Sequence, residues 1–251
     1  MKTIGLVGGM GWQSTALYYQ AINRAVAREL GGANSAKLVI YSFNFQEVVE
    51  RVHANHWGEI GGLLAQAARG LKDAGAGFLL LCANTAHKCA EQVERQSGLP
   101  LLHILEPTVR QAKAAGMRTV AVLGTRFVME QEFYRGRLER DGLKVVIPAD
   151  NDRAFVHDII FGELTKGIFT EATRARCREI ISNLVSEGAQ GIVLGCTELP
   201  MLLKAEDSPV PMLDTTILHA EEAAVRAMEP ADRRVSRERR TASLHVARIR
   251  S

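Results

Sequence analysis

Short apolar runs alternate along the chain with stretches in which apolar residues recur every three or four positions. The runs predict strands near Thr3–Val7, Lys37–Tyr41, Gly77–Cys82, Leu101–His103, Thr119–Leu123, Leu143–Ile147, Gly191–Leu194 and Val210–Leu213. The helical spacing predicts helices over Ser14–Leu30, Gly58–Lys72, a segment after His87, one ending before Gly116, Arg153–Thr165, Glu171–Ser186 and Thr215–Met228. In the first helix Leu17, Ala21, Ala25 and Val26 are expected to face inward, and Gly31-Gly32 is the stop. Strands that alternate with helices give βαβ units and a mainly parallel α/β architecture.

The alternation repeats. LKDAGAGFLLLCAN (71–84) lies on LVSEGAQGIVLGCT (184–197) without gaps, with Gly75 on Gly188, Ala76 on Ala189 and Ala83 on Cys196. The chain is therefore read as two related α/β halves with internal pseudo-symmetry. Residues 1–104 with 212–229 form the first, residues 105–211 the second, and 230–251 a basic, disordered tail. In parallel α/β sheets a ligand binds beyond the carboxyl ends of the strands. Those ends are Gly8–Gly11, Ala83–Thr85, Gly124–Arg126 and Cys196–Glu198, so two halves could face each other across a cleft and approach opposite faces of one small molecule.

Length and charge narrow the partners. The 251 residues are 47% hydrophobic and 24% charged, which suits a folded chain with a sizeable core. No apolar run is long enough for a membrane span, and MKTIGLVGGMG reads as a strand rather than a signal peptide. The net charge of +3 is uneven: seven arginines against Asp232 and Glu238 give 230–251 a charge of +5, leaving −2 for 1–229. No aromatic residues interleave those arginines as stacking platforms, so nucleic acid is not the expected partner. The cysteines Cys82, Cys89, Cys177 and Cys196 lack paired metal spacing, and reduced thiols in a cytoplasm are expected. His53, His56, His103, His157 and His219 show no zinc-ligand spacing either.

Gly195-Cys196-Thr197-Glu198-Leu199-Pro200 is the sharpest chemical feature. A cysteine at the end of a buried strand, with backbone N–H groups ahead of it, is expected to have a lowered pKa. Its counterpart is Cys82-Ala83-Asn84-Thr85-Ala86-His87. Asn84 and Thr85 can donate to a carboxylate, and His87 can act as an acid or base or cap a helix. Cys82 should point away from the cleft if Ala83 points in, because side chains alternate along a strand. The Gly8-Gly9-Met10-Gly11 turn is a weak match to a dinucleotide fingerprint; it reads as close backbone approach to a small anion, with capping hydroxyls on Ser14 and Thr15. Lys166, in Gly162-Glu163-Leu164-Thr165-Lys166-Gly167, is either a surface residue or a carboxylate ligand.

GLVGGMGWQST, CANTAH, GELTKG and GCTELP, in this order, resemble the aspartate/glutamate racemase family from Met1 to about Met228. The resemblance implies two Rossmann-like parallel-sheet domains with a cleft between them, a homodimer, an acidic amino-acid substrate, and α-proton transfer without pyridoxal phosphate or metal. It puts Cys196 at the second acid/base position, Met10, Asn84, Thr85 and Thr197 at substrate-contacting turns, and Lys166 at a carboxylate-binding position. The first acid/base position holds Ala83, which has neither thiol nor hydroxyl. Three readings stay open. Ala83 is an inactivating replacement; or the enzyme works with one cysteine, as a one-sided racemase or an arylmalonate-decarboxylase-like lyase, with water or His87 serving the bare face; or the chain is a small-molecule binding protein.

Overall fold

The computed structural model describes residues 1–229, so the expectation for the basic tail lies outside the described residues. In chain order the elements are β1 (Ile4–Gly8), α1 (Trp12–Leu30), β2 (Leu38–Ser42), α2 (Phe45–His53), α3 (Trp57–Asp73), β3 (Phe78–Leu81), α4 (Ala90–Ser97) and α5 (Leu105–Ala114). Then come β4 (Thr119–Gly124), α6 (Arg126–Glu130), α7 (Glu132–Arg140), β5 (Lys144–Val146), α8 (Asp150–Gly162), α9 (Glu171–Ser186), β6 (Ile192–Gly195), α10 (Leu199–Leu202), β7 (Met212–Asp214) and α11 (Thr215–Met228).

The strands form two parallel sheets with orders β2-β1-β3 and β5-β4-β6-β7. In each, the first strand of its half is central, flanked by the second and third, so the pairing reproduces the repeat read from the sequence. Val7 pairs with Leu81, and Leu123 pairs with Leu194, so the turns after β1 and β3 open at one level of the first sheet and those after β4 and β6 at one level of the second. The expected strand at Leu101–His103 is reduced to one parallel bridge between Leu79 and Leu101.

One face of the first sheet packs Ile4, Leu6 and Leu80 on α1 and α11 through Tyr18, Ile22, Ala220 and Ala224. Its other face packs Val7, Leu79 and Leu81 on α3 through Ile60, Leu64 and Ala68. Val120, Val122, Ile192 and Leu194 belong to a separate core with residues of α5, α8 and α9. Parallel strands covered on both faces must be apolar throughout, and these are. In α1 the inward stripe is Tyr18, Ala21, Ile22, Ala25 and Val26, while Leu17 is half-buried.

Two expectations need correction. Residues 212–214 were assigned to the first unit, but β7 is hydrogen-bonded to β6 of the second sheet, and only α11 crosses back to pack on α1. The helix expected from Arg153 begins at Asp150 and ends at Gly162; a separate 3-10 turn then carries Leu164–Lys166. Helices α2, α6, α7 and α10 were not anticipated.

Candidate active site

The strand ends of both sheets converge on one cavity of about 720 Å³, counting its open mouth. Met10, Ala83, Asn84, Thr85, Cys196 and Thr197 all line it. The main chain makes this convergence possible at Gly9, whose φ of +85° is accessible to glycine at little cost and whose missing Cβ leaves room for the backbone of Phe43. Gly9 N–H donates to Thr15 Oγ1 at 2.8 Å, while Ser14 is used elsewhere.

Ser14 Oγ lies 2.6 Å from Thr197 Oγ1 and 3.0 Å from Glu198 Oε1, so one hydroxyl proton from α1 is shared between two residues of the β6 turn. Thr197 Oγ1 donates in turn to Glu198 Oε2 at 2.8 Å. Cys196 Sγ donates to that same oxygen at 2.9 Å. A buried carboxylate is therefore ringed by hydroxyls and one thiol, the environment such a group needs when taken out of water. Burial and then the charge of Glu198 raise the Cys196 thiol well above its ordinary value, and the N–H groups of Glu198 and Leu199 pull the other way without prevailing. The expectation of a lowered pKa is thus reversed: the resting cysteine is a thiol, the proton-donor form. The role of Glu198 was not assigned from the sequence, although its place two residues after a strand-end cysteine was the available signal.

The other strand end is built differently. Asn84 Oδ1 accepts from Tyr134 OH at 2.9 Å, and Asn84 Nδ2 donates to Thr215 Oγ1 at 3.0 Å. Thr215 Oγ1 donates onward to Leu194 O at 2.8 Å. Asn84 thereby ties the first sheet to α7 and β6 while still lining the cavity. Thr85 Oγ1 and Thr125 Oγ1 meet across 3.1 Å, one from each sheet. Ala83 faces the cavity with only a methyl group.

His87 does not serve that bare position. Its Nδ1 lies 3.0 Å from Ala83 O, to which it donates, and its Nε2 accepts from Ile104 N–H at 3.2 Å. The ring is buried behind the strand end, and burial lowers its pKa to about 4. Cys82 is fully buried among Tyr18, Leu80 and Ala220, pointing away from the cavity as strand alternation requires. Cys89 and Cys177 are packed in cores, and burial raises their thiols to about 11 and 12. Lys166 is exposed on its 3-10 turn; Thr165 is the neighbour that reaches the cavity.

The rest of the lining is apolar. Helix α2 presents Phe45, Val48, Val49 and Val52, joined by Trp57 and Ile60 from α3 and by Ile160 and Phe161 from α8. Trp57 meets Phe127 edge-on at 5.2 Å between ring centroids, and His53 meets Phe161 at 6.3 Å, so ring contacts run between the two halves beside the cavity.

Known proteins share this architecture. A putative Asp/Glu racemase from Yersinia pestis is 46% identical, with a TM-score of 0.86 over 91% of this chain and 100% of that one. An aspartate racemase homologue from Pyrococcus horikoshii OT3 is 34% identical, with a TM-score of 0.78 over 91% and 100%. The broad specificity amino-acid racemase RacX of Bacillus subtilis (strain 168) is 26% identical over 216 residues, 85% of this chain and 92% of RacX. The profile of Asp/Glu/Hydantoin racemases matches residues 7–223, which spans both sheets and both strand-end motifs, and the chain belongs to that family.

Proposed function

We propose that this chain is a cofactor-independent amino-acid racemase reduced to one working face, with Cys196 as its acid/base. The carrying observation is the Cys196 Sγ–Glu198 Oε2 hydrogen bond of 2.9 Å on the wall of a cavity whose other strand end offers Ala83. Transfer of the thiol proton to Glu198 leaves a thiolate. The thiolate takes the α-proton, and the electron pair left on Cα spreads into the substrate carboxylate. The Thr85 and Thr125 hydroxyls line the cavity, and the proton their mutual hydrogen bond leaves free can be donated to the growing carboxylate charge. The same sulfur then returns a proton, which has exchanged with solvent.

Retention with exchange is the expected outcome on this face. Inversion requires a proton from the other face, where Ala83 has none to give and solvent must supply it. Aspartate and glutamate, carried in the names of the family and its relatives, are the first compounds to offer. Replacing Cys196 with alanine should abolish solvent-deuterium incorporation at Cα; incorporation that survives the replacement would remove Cys196 from the mechanism.

The bare position also favours a second reading, decarboxylation of a disubstituted malonate. Carbon dioxide leaves, and Cys196 protonates the resulting enediolate from one side. A racemic product from a prochiral malonate would dismiss it. Homodimer formation belongs to the same proposal. Trp12 and Tyr19 on α1 and Ile40 and Tyr41 on the edge strand β2 are exposed apolar residues that could be covered, and sedimentation tests it.

A further inference from the structure

The cavity divides into a polar floor and an apolar roof. The floor carries the hydroxyls of Thr85, Thr125 and Thr197 with Asn84, Cys196 and Glu198; the roof is made by Phe45, Val48, Val52, Trp57, Ile160 and Phe161, and the one hydroxyl beside it, Thr165, donates to Phe161 O at 3.3 Å. Among the described residues that line it, Cys196 and Glu198 are the only ones with ionisable side chains. A substrate carboxylate on the floor has the free proton of the Thr85–Thr125 hydroxyl pair to meet it. A second carboxylate on the side chain would face the roof, where no cation compensates the water it loses. The nearby basic side chains are outside the lining: Lys88 Nζ sits 4.2 Å from the Trp57 ring centroid, Arg126 and Lys166 are exposed, and the His53 and His157 rings pack on Phe161 at 6.3 and 5.0 Å between centroids.

We propose that the substrate carries an apolar side chain, aliphatic or aryl, packed beneath Phe45, Val48, Val52 and Phe161, instead of the acidic side chain the family resemblance implies. The inference rests on the reading of Cys196 as the acid/base, because that reading orients the α-carbon toward the floor. Burying an alkyl or phenyl group against such a roof is favourable in proportion to the area removed from water. The roof joins both halves of the chain, since α2 and Trp57 belong to the first and Ile160 and Phe161 to the second.

The test uses the protein with Trp12→Phe, which leaves Trp57 as its one tryptophan. Fluorescence titration with isocaproate and phenylacetate, against succinate and glutarate, reads binding without chemistry. The apolar acids are expected to bind at least about tenfold more tightly, and Val52→Arg to reverse the order. Equal or tighter binding of the diacids overturns the inference, as does failure of either apolar acid to bind by about 10 mM. Loss of diacid binding in Lys166→Ala would assign that result to the lysine swinging inward.

Solvent-deuterium incorporation then separates this inference from the one beneath it. Apolar acids that bind while leucine and phenylalanine never exchange would refute Cys196 as acid/base and leave the side-chain class standing. Exchange confined to aspartate and glutamate would refute the side-chain class and leave Cys196 standing.

Discussion

The thiol of Cys196 donates to Oε2 of Glu198 across 2.9 Å, within one turn after β6. This contact gives the sulfur a proton acceptor inside a site that otherwise keeps it neutral. Burial and the carboxylate charge both oppose a free thiolate, so ionisation by loss of the proton to solvent is unfavourable near neutral pH. Internal transfer to Glu198 keeps the net charge of the pair unchanged.

Glu198→Gln is therefore expected to slow α-proton exchange by about 10²–10⁴-fold with little change in KM. The pH profile should change shape as well. Wild-type exchange is expected to vary little around neutrality, because the proton moves within the Cys196–Glu198 pair. In the variant the rate keeps climbing into the alkaline range, because the buried thiol must lose its proton to solvent. Equal slowing at every pH would indicate lost packing instead.

Ala83→Cys should restore the missing face. The prediction is a gain of inversion by about 10²-fold or more over the parent, read as a decay of optical rotation in step with deuterium incorporation. Ala83 lines the cavity, so the new sulfur has space to enter. Exchange without any gain in inversion would show that Ala83 does not face the substrate.

Asn84 carries structure as well as the cavity wall. Asn84→Ala leaves the buried Tyr134 hydroxyl without its acceptor and is expected to cost about 1–3 kcal/mol in urea unfolding. Tyr134→Phe, which leaves only the Asn84 amide oxygen without its donor, should cost about 1 kcal/mol. Losses in the opposite order would mean that the Tyr134 hydroxyl draws its stabilisation from a partner other than Asn84.

The histidine cluster sets an acid limit on stability. His87 and His103 rings lie 4.5 Å apart and His87 and His219 rings 5.8 Å apart, all buried. His219 donates from Nε2 to Leu102 O at 2.9 Å and accepts from Tyr18 OH at 2.8 Å, a pattern that suits a neutral ring. Burial lowers His87 to about 4 and His219 to about 3, and it lowers His103 further with help from the neighbouring His87. Unfolded histidines titrate near ~6.5. Below that pH the unfolded chain binds protons that the folded chain refuses, so stability is complete above it and is lost as the pH falls toward 4. His87 alone accounts for roughly 3 kcal/mol across that window. His103→Asn can still accept from Leu105 N–H at the start of α5 and should flatten the acid limb of a chemical-unfolding series. An unchanged slope would place the acid sensitivity elsewhere.

Much of this architecture was legible in the chain. Parallel strands buried on both faces write themselves as short apolar runs, and a gap-free self-alignment of the chain lays Ala83 on Cys196. Helix α2 was missed although Phe45, Val48, Val49 and Val52 recur at helical spacing behind Asn44, whose side chain accepts from Gln46 N–H. That signal was present and could have been read. The pairing of β7 with β6 was not legible, because three residues carry too little pattern to choose a sheet. Neither was the direction of the Cys196 shift. Backbone N–H groups after a strand are visible in sequence, but the depth of burial that outweighs them is set by packing. The apolar roof likewise joins residues more than a hundred positions apart.

The central claim is that one sulfur works on one face. Its most direct test is α-proton exchange followed by NMR in heavy water, with the L and D forms of aspartate, glutamate, leucine and phenylalanine offered separately to the wild type and to Cys196→Ala. The account predicts deuterium entering one enantiomer much faster than its mirror image, with its configuration retained, and no incorporation in the variant. Equal incorporation into both enantiomers, or incorporation that persists without Cys196, would contradict it.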